Sequence, residues 1–149
     1  MDQIEVSRTF DAALETLWKA WTEPGQFIKW YGPKGFTAPT CEIDLREGGL
    51  HLWSMQSPDG RQTYFTGNYK EVKPMERLVY TDSMSDDKGT VMSAEMMGMP
   101  AGMPVTMDVT VTFSHANGKT TVTVSHVGQG DGAGKGWEQA FDKLEKVLV

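Results

Sequence analysis

Apolar and polar residues alternate at the start of the chain. Over residues 4–10 the apolar side chains recur at every second position, which is the period of a strand with one buried face. Arg8 falls on the apolar side of this strand. Apolar residues then recur at helical spacing over residues 14–21 until Pro24-Gly25 interrupts them. The pattern therefore predicts a strand, a helix and, beyond the break, a second short helix that holds Phe27 and Trp30.

An Asn-Gly turn at residues 117–118 predicts a hairpin in the second half of the chain. This dipeptide favours the two-residue turn whose twist suits antiparallel strands. Counting back and forward from the turn puts Val111 opposite Val124 and Val109 opposite His126. His126 is therefore expected on the apolar face of the sheet.

A Ser-Pro-Asp-Gly turn at residues 57–60 predicts another hairpin. A type I turn that ends on a left-handed glycine sets Trp53 opposite Phe65 and His51 opposite Gly67. Trp53 and Phe65 then share one face, and His51 lies on that face as well.

The chain closes with an amphipathic helix. Trp137, Phe141 and Leu144 recur at helical spacing on one stripe. Because this single helix has to cover about six or seven strands, the sheet must curl around it. We expect an α+β fold, in which a curved antiparallel sheet of six or seven strands wraps around a long C-terminal helix. Two short helices follow the first strand, and residues 1–149 form one domain.

Aromatic and glycine-containing motifs recur in a fixed order along the chain. They are Phe10-Asp11-Ala12, Trp18-Lys19-Ala20-Trp21-Thr22, Trp30-Tyr31-Gly32-Pro33, Asp44-Leu45-Arg46-Glu47-Gly48-Gly49, Pro58-Asp59-Gly60 and Gly136-Trp137. In order and spacing they resemble the homologue family of the activator of a heat-shock chaperone ATPase, a branch of the START-like (SRPBCC) helix-grip superfamily. The resemblance implies a helix-grip fold with a ligand-binding hollow, and it suggests a chaperone ATPase as a partner and a role in stress response. One fold hosts many activities, so it does not fix the function.

Amino-acid composition limits the kinds of binding partner and the cellular compartment that we expect for this protein. The net charge of -6, with no run of lysine or arginine, argues against nucleic acid and anionic membranes. Cys41 is the single cysteine, which excludes an internal disulfide and favours a reducing compartment. The start lacks the features of a signal peptide, and no apolar run approaches the roughly 20 residues of a spanning helix. We expect a cytoplasmic protein without membrane insertion.

No catalytic constellation stands out in the sequence. It lacks a phosphate-binding glycine loop, a paired histidine motif and a serine in a nucleophile-elbow setting. We therefore expect no catalytic residues, no metal and no cofactor, and we favour binding over catalysis.

Three residues could offer polar groups to a ligand. His126 is the strongest of them, followed by His51 and Arg8. Either histidine could instead hydrogen-bond a backbone carbonyl, which is the more common arrangement for a buried polar group. For Arg8 the alternative to an anionic ligand head is an ion pair with a carboxylate such as Glu42, Asp44 or Asp82.

Apolar side chains on the inner face would line the ligand site. Those expected there are Trp53, Phe65, Tyr80, Val111, Trp137 and Phe141. Seven methionines lie between Met84 and Met107, Met99 among them. Because methionine is flexible and polarisable, this segment suits an adaptable lid, although ordinary packing is an equal alternative and copper(I) binding a weaker one.

The leading hypothesis is a domain that binds a small hydrophobic or amphipathic molecule between the sheet and the last helix. One alternative is a protein-interaction module that regulates a chaperone ATPase, which only the resemblance supports. Another is a cyclase- or hydrolase-like enzyme in the same cavity, with His126 or an acid as general base.

Overall fold

The computed structural model describes residues 3–92, 106–127 and 132–148. Within these ranges the chain forms seven strands and three helices. They are β1 (Gln3–Phe10), α1 (Leu14–Thr22), α2 (Pro24–Phe27), β2 (Cys41–Ile43), β3 (Leu50–Gln56), β4 (Gln62–Lys73), β5 (Arg77–Ser85), β6 (Thr106–Ala116), β7 (Lys119–Val127) and α3 (Gly132–Val147).

The strands form one antiparallel sheet in the order β1-β7-β6-β5-β4-β3-β2. The sheet is curved and open, and α3 follows its last strand in the chain. The predicted α+β fold class is therefore confirmed, with seven strands and two short helices after β1. Phe27 ends the second short helix as expected, whereas Trp30 lies three residues beyond the end of α2.

Both predicted hairpin registers are confirmed. On β3 and β4, Trp53 pairs with Phe65 and His51 pairs with Gly67. On β6 and β7, Val111 pairs with Val124 and Val109 with His126. The turn between β6 and β7 has positive φ angles at both central residues, 55° at Asn117 and 77° at Gly118. An Asn-Gly pair adopts these angles readily, so this turn fixes the register locally.

The core lies between the sheet and the helices. Phe141 and Leu144 of α3 are fully buried, and the Phe141 ring packs edge to face on Phe10 of β1 at 5.6 Å between centroids. Trp18 of α1 packs in the same manner on Phe113 of β6 at 5.4 Å. The two contacts hold an early helix and the last helix of the chain against the inner face of the sheet.

Candidate functional site

A glycine in β4 lets His51 reach a strand that is not its neighbour. Gly67 faces His51 of β3 on one side, and on the other it approaches Thr81 of β5 so closely that a Cβ would collide with the Thr81 carbonyl. The imidazole of His51 extends over Gly67, where no side chain blocks it. Its Nε2 lies 2.7 Å from the Thr81 carbonyl oxygen and 3.9 Å from Oδ1 of Asp82.

Aromatic rings surround His51. Its ring stacks on Trp53 at 3.8 Å between centroids with an interplanar angle of 17°. Tyr80 and Tyr69 meet it edge to face at 5.3 and 5.9 Å. A register shift just beyond Tyr69 accompanies the pairing of Tyr69 directly with Tyr80. We call His51, Trp53, Tyr69, Tyr80 and Asp82 the His51 cluster.

The protonation state of His51 follows from its contacts. Burial lowers the pKa of the imidazole to about 4, although the Thr81 carbonyl partly opposes this shift. Because a carbonyl oxygen only accepts hydrogen bonds, Nε2 carries the proton and donates it to Thr81. Nδ1 is then an acceptor. His51 therefore offers a neutral, buried lone pair near neutral pH.

Asp82 is the least expected member of the cluster. It is 6% exposed, and burial alone raises the pKa of its carboxyl well above the usual value. Burial also raises the pKa of the Tyr69 and Tyr80 hydroxyls, and Asp82 in its ionised form would raise both further. The free site therefore favours the protonated carboxyl beside neutral phenols.

The His51 cluster concentrates the unpaired polar atoms of the interior. Among the described residues, four buried side-chain atoms have no partner at hydrogen-bonding geometry: Trp21 Nε1, His51 Nδ1, Trp53 Nε1 and Asp82 Oδ1. Three of the four belong to the cluster. Since buried polar groups are nearly always paired, each of these atoms calls for a partner such as a water, an ion or a ligand.

The three unpaired atoms of the cluster are not equally isolated. The Trp53 indole N–H lies near enough to the Tyr31 hydroxyl to oppose the rise that burial causes in the pKa of that phenol. The two groups nevertheless do not meet at hydrogen-bonding geometry. A small movement of the Tyr31 ring would pair Trp53, so the acceptors on His51 and Asp82 are the stronger signal.

His126 lies in a different environment. Its Nε2 accepts a hydrogen bond from the Trp137 indole N–H of α3 at 2.8 Å, and His126 is 5% exposed. Trp137 in turn stacks on Trp21 of α1 at 5.7 Å between centroids. His126 thus joins β7 to α3, and through Trp137 to α1. This contact with a protein donor favours a structural role for His126 over the ligand-binding role ranked first from sequence.

Tyr31 lies between the two histidines. Its ring stacks on Phe27 at 4.5 Å and approaches Trp53 at 5.8 Å and Trp137 at 6.3 Å between centroids. Lys143 of α3 holds the loop that carries it: its Nζ donates to the carbonyl of Tyr31 at 3.2 Å and to two others in the same loop, at 3.3 and 3.0 Å. A continuous aromatic layer therefore connects α3 with the His51 cluster.

Arg8 does not reach this cluster. Its guanidinium donates to Asp142 of α3 at 2.6 Å and lies 3.5 Å from Glu145. The carboxylates suggested from sequence, Glu42, Asp44 and Asp82, are not the partners. The expected ion pair with a carboxylate is present, but the acids named from sequence were the wrong ones. The rotation of α3 over β1 decides which acids face Arg8, and strand periodicity does not encode that rotation.

The other predicted lining residues divide into two groups. Val111 and Phe141 are fully buried in the core, whereas Phe65 is half-buried opposite Trp53 and Met84. Met99 lies outside the described residues, as does most of the methionine segment expected to form a lid.

Local sequence patterns did not identify the whole cluster. They introduce Asp82 only as a partner for Arg8, although the alternation of Leu78, Tyr80 and Asp82 on one strand was a usable signal. Tyr69 and Gly67 carried no such signal, because a register shift and a close approach between strands arise only when the sheet is assembled.

A separate half-open groove of ≈ 480 Å³ lies near the turn between β6 and β7. It is lined by Thr9, Phe10, Asp11, Lys119, Glu145 and Leu148. This groove is not the predicted cavity, because its lining contains none of the residues expected to bind a ligand.

The described residues contain neither a metal centre nor a membrane-spanning helix. Within residues 3–92, 106–127 and 132–148, no group of three or more histidine, cysteine, aspartate or glutamate side chains is arranged to hold a metal ion. None of the helices in the described part of the chain has the length and apolar character needed to cross a membrane.

Comparison with known proteins identifies a family and solved structures to which the chain is similar. The family model for "Activator of Hsp90 ATPase homolog 1-like protein" matches residues 11–149. A crystal structure of a Chromobacterium violaceum protein is similar, with 25% identity, a TM-score of 0.76 and coverage of 98% of this chain and 96% of that chain. A Nitrosomonas europaea protein has 24% identity, a TM-score of 0.75 and coverage of 99% of this chain and 96% of that chain.

The AHSA1 protein from Silicibacter pomeroyi shares the fold as well, with 20% identity, a TM-score of 0.73 and coverage of 99% of this chain and 97% of that chain. A comparison with curated proteins finds no significant match.

Proposed function

This chain belongs to the Activator of Hsp90 ATPase homolog 1-like protein family, and we propose that it binds a small apolar or amphipathic molecule between the sheet and α3, with the His51 cluster as its polar contact. Ligand sites of this type are mostly apolar and carry a few placed polar groups. The aromatic layer from Trp137 through Tyr31 to Trp53 supplies the apolar surface.

One observation carries the proposal. Three of the four unpaired buried polar atoms in the described part of the chain lie in the His51 cluster. Leaving such an atom unpaired costs about 1–3 kcal/mol, and a ligand that hydrogen-bonds to it would offset that cost. At His126, by contrast, a protein donor already engages Nε2.

Regulation of a chaperone ATPase has less support. The family description alone suggests it, and an exposed aromatic patch at Trp30 and Tyr31 would have favoured protein docking. Both residues are buried, with 0% and 7% of their surfaces exposed. Docking through these two rings would require the loop that carries them to leave the core.

Catalysis in the same site also has less support. His126, the base considered from sequence, has its Nε2 engaged by Trp137. His51 has its pKa lowered to about 4 by burial, which makes it a weak base near neutral pH. We therefore propose a binding domain rather than an enzyme. We also propose a cytoplasmic location, because the single cysteine favours a reducing compartment.

The direct test is uptake of a neutral apolar dye. We would record native mass spectra of freshly purified protein, then titrate it with N-phenyl-1-naphthylamine while following tryptophan emission. We expect saturable uptake of one dye molecule per chain, with quenching of Trp53. If no small molecule co-purifies and no dye binds, the proposal is wrong.

A matched pair of variants locates the dye. Met107 of β6 pairs with Asp82 on the inner face, whereas Thr112 of the same strand lies on the outer face opposite Arg77. Met107→Trp places a large ring beside Asp82 and should weaken dye binding at least tenfold. Thr112→Trp adds the same ring outside and should leave binding within about twofold. Equal effects of both variants would place the dye elsewhere.

A further inference from the structure

The chemistry of the His51 cluster selects among ligand head groups. Among the described residues, the titratable groups that face Asp82 are His51 from β3, Tyr69 from β4, Tyr80 from its own strand and Tyr31 from the loop after α2. All of them are neutral near neutral pH, because burial lowers the pKa of the imidazole and raises those of the phenols.

Two more neutral side chains complete these surroundings. Met107 of β6, which carries no charge, stands opposite Asp82. Cys41 of β2 interacts with Tyr31 and Tyr69, and burial raises the pKa of its thiol to about 12. The thiol therefore stays protonated and adds no charge to the site.

No lysine or arginine in the described part of the chain provides a positive charge next to Asp82. The pKa of Asp82 responds to burial alone, and no lysine or arginine there affects the pKa of Tyr69 or Tyr80. An almost fully buried carboxyl group thus stands among aromatic rings without a positive partner. Buried acids are normally paired, so the missing partner is the informative feature.

Two of the unpaired atoms in the cluster are Nδ1 of His51 and Oδ1 of Asp82. Nδ1 accepts hydrogen bonds, and both carboxyl oxygens of Asp82 do so once the group is ionised. A ligand ammonium has three N–H donors and no acceptor, so it complements them, whereas a carboxylate would add further acceptors. The ring quadrupoles of Tyr69 and Tyr80 attract cations. The Trp53 ring already stacks on His51, at 3.8 Å between centroids.

We infer that the His51 cluster binds the head of a small organic ammonium, a protonated primary amine on an apolar body, with the Asp82 carboxylate as its counter-ion. The inference rests on the proposed function, because both use the same site. It adds the chemical class of the ligand.

Binding then moves one proton. In the free protein the buried Asp82 carboxyl favours its protonated form. When R–NH₃⁺ binds, the carboxyl O–H bond breaks, the proton passes to the buffer, and the ammonium keeps its three N–H bonds. Each bound amine therefore releases a proton, whereas a bound alcohol releases none.

Three ligands with one alkyl chain test the inference: decylamine, 1-decanol and decanoate. We would measure their displacement of N-phenyl-1-naphthylamine at pH 6 below micelle-forming concentrations. Calorimetry in phosphate and in MES, two buffers that differ in ionisation enthalpy, counts the protons released. We expect decylamine to bind at least tenfold more tightly than 1-decanol, with proton release, and decanoate to bind most weakly.

Two aspartate variants separate the site from the rest of the sheet. Asp82→Asn keeps the shape of a neutral carboxyl but cannot ionise, so the preference for decylamine over 1-decanol should fall at least tenfold and decylamine binding should release no proton. Asp108→Asn removes an exposed carboxylate that pairs with Lys70 at 3.1 Å, and both ligands should bind to it as to the wild type.

The outcomes distinguish this inference from the proposed function. If 1-decanol binds as tightly as decylamine without proton release, or decanoate binds best, the ammonium inference is overturned and the binding function stands. If none of the three ligands and no dye binds, both are overturned. Should Asp82→Asn fail to fold, the ligand order and the proton count of the wild-type protein still decide.

Discussion

His51 and His126 are both buried histidines on the inner face of one sheet, but their surroundings differ. Nε2 of His126 accepts a hydrogen bond from the Trp137 indole N–H at 2.8 Å. His51 donates from Nε2 to the Thr81 carbonyl oxygen at 2.7 Å, but its Nδ1 has no partner at hydrogen-bonding geometry among the described residues. Strand position alone would have made the two histidines equivalent.

The contrast shows that the role of a buried histidine depends on what faces it across the fold. A helix residue engages His126, so this histidine fastens α3 to the sheet. At His51 the neighbours are aromatic rings and a buried carboxyl, and polar atoms remain unpaired. The first arrangement is typical of a structural contact and the second of a ligand site.

The largest expected effect is the loss of stability when a side chain is added at Gly67, which faces His51. A methyl group there would collide with the Thr81 carbonyl, so Gly67→Ala should separate β4 from β5. We expect the free energy of unfolding to fall by about 3 kcal/mol or more, measured by urea denaturation.

Gly25→Ala is the matched control for Gly67→Ala. Nothing lies within 4 Å of a Cβ at Gly25, which belongs to α2. The added methyl should be neutral or stabilise the protein by about 0.5–1 kcal/mol. If both alanine variants were equally stable, the close approach at Gly67 would not be required.

A second prediction uses the opposite titrations of His51 and Asp82. Burial lowers the pKa of His51 from 6.5 to about 4, so between these values the unfolded chain binds a proton that the folded chain does not, and stability rises with pH. Burial raises the pKa of Asp82 above 3.8, so the folded chain holds a proton that the unfolded chain loses, and stability falls as pH rises.

In the wild-type protein these two contributions oppose each other between about pH 4 and 6.5. Asp82→Asn should leave the His51 contribution, so its stability should rise with pH relative to the wild type, by at most about 1.4 kcal/mol per pH unit. His51→Phe should leave the falling contribution of Asp82. Urea denaturation at several pH values checks both, and His115→Phe, at an exposed position, should follow the wild-type profile. Parallel profiles for all four proteins would contradict the prediction.

The smallest effect concerns the His126 side. A double-mutant cycle with His126→Phe and Trp137→Phe should give a coupling energy of about 1 kcal/mol, because either change removes the same hydrogen bond. A second cycle that pairs His126→Phe with Trp53→Phe should be additive within about 0.5 kcal/mol. Equal coupling in both cycles would mean that the Trp137 contact is not specific.

Much of the fold could be predicted from local sequence. The Asn-Gly turn at residues 117–118 determines the pairing of β6 with β7, because its two positive φ angles suit few other residue pairs. The turn at residues 57–60 likewise determines that His51 faces Gly67. The positions of Trp53 and Tyr80 on the inner face follow from strand alternation.

The site was less predictable than the sheet. His126 and His51 both lie on inner strand faces, and no local pattern distinguishes them. Only the resemblance to the family placed His126 above His51. The partner of His126 comes from α3, and the partner of Arg8 comes from the same helix. Both depend on how α3 rotates over the sheet, which side-chain packing decides.

Local sequence was sufficient for the hairpin registers and for the inward direction of His51 and Trp53, because turns and two-residue periodicity act over short distances. The assembled fold was needed to bring His51 across Gly67 toward Asp82 and to bring Trp137 to His126. These contacts join residues from different elements, and burial then sets the pKa values of His51 and Asp82. Neither burial nor contact between distant elements is encoded by any short stretch of the chain.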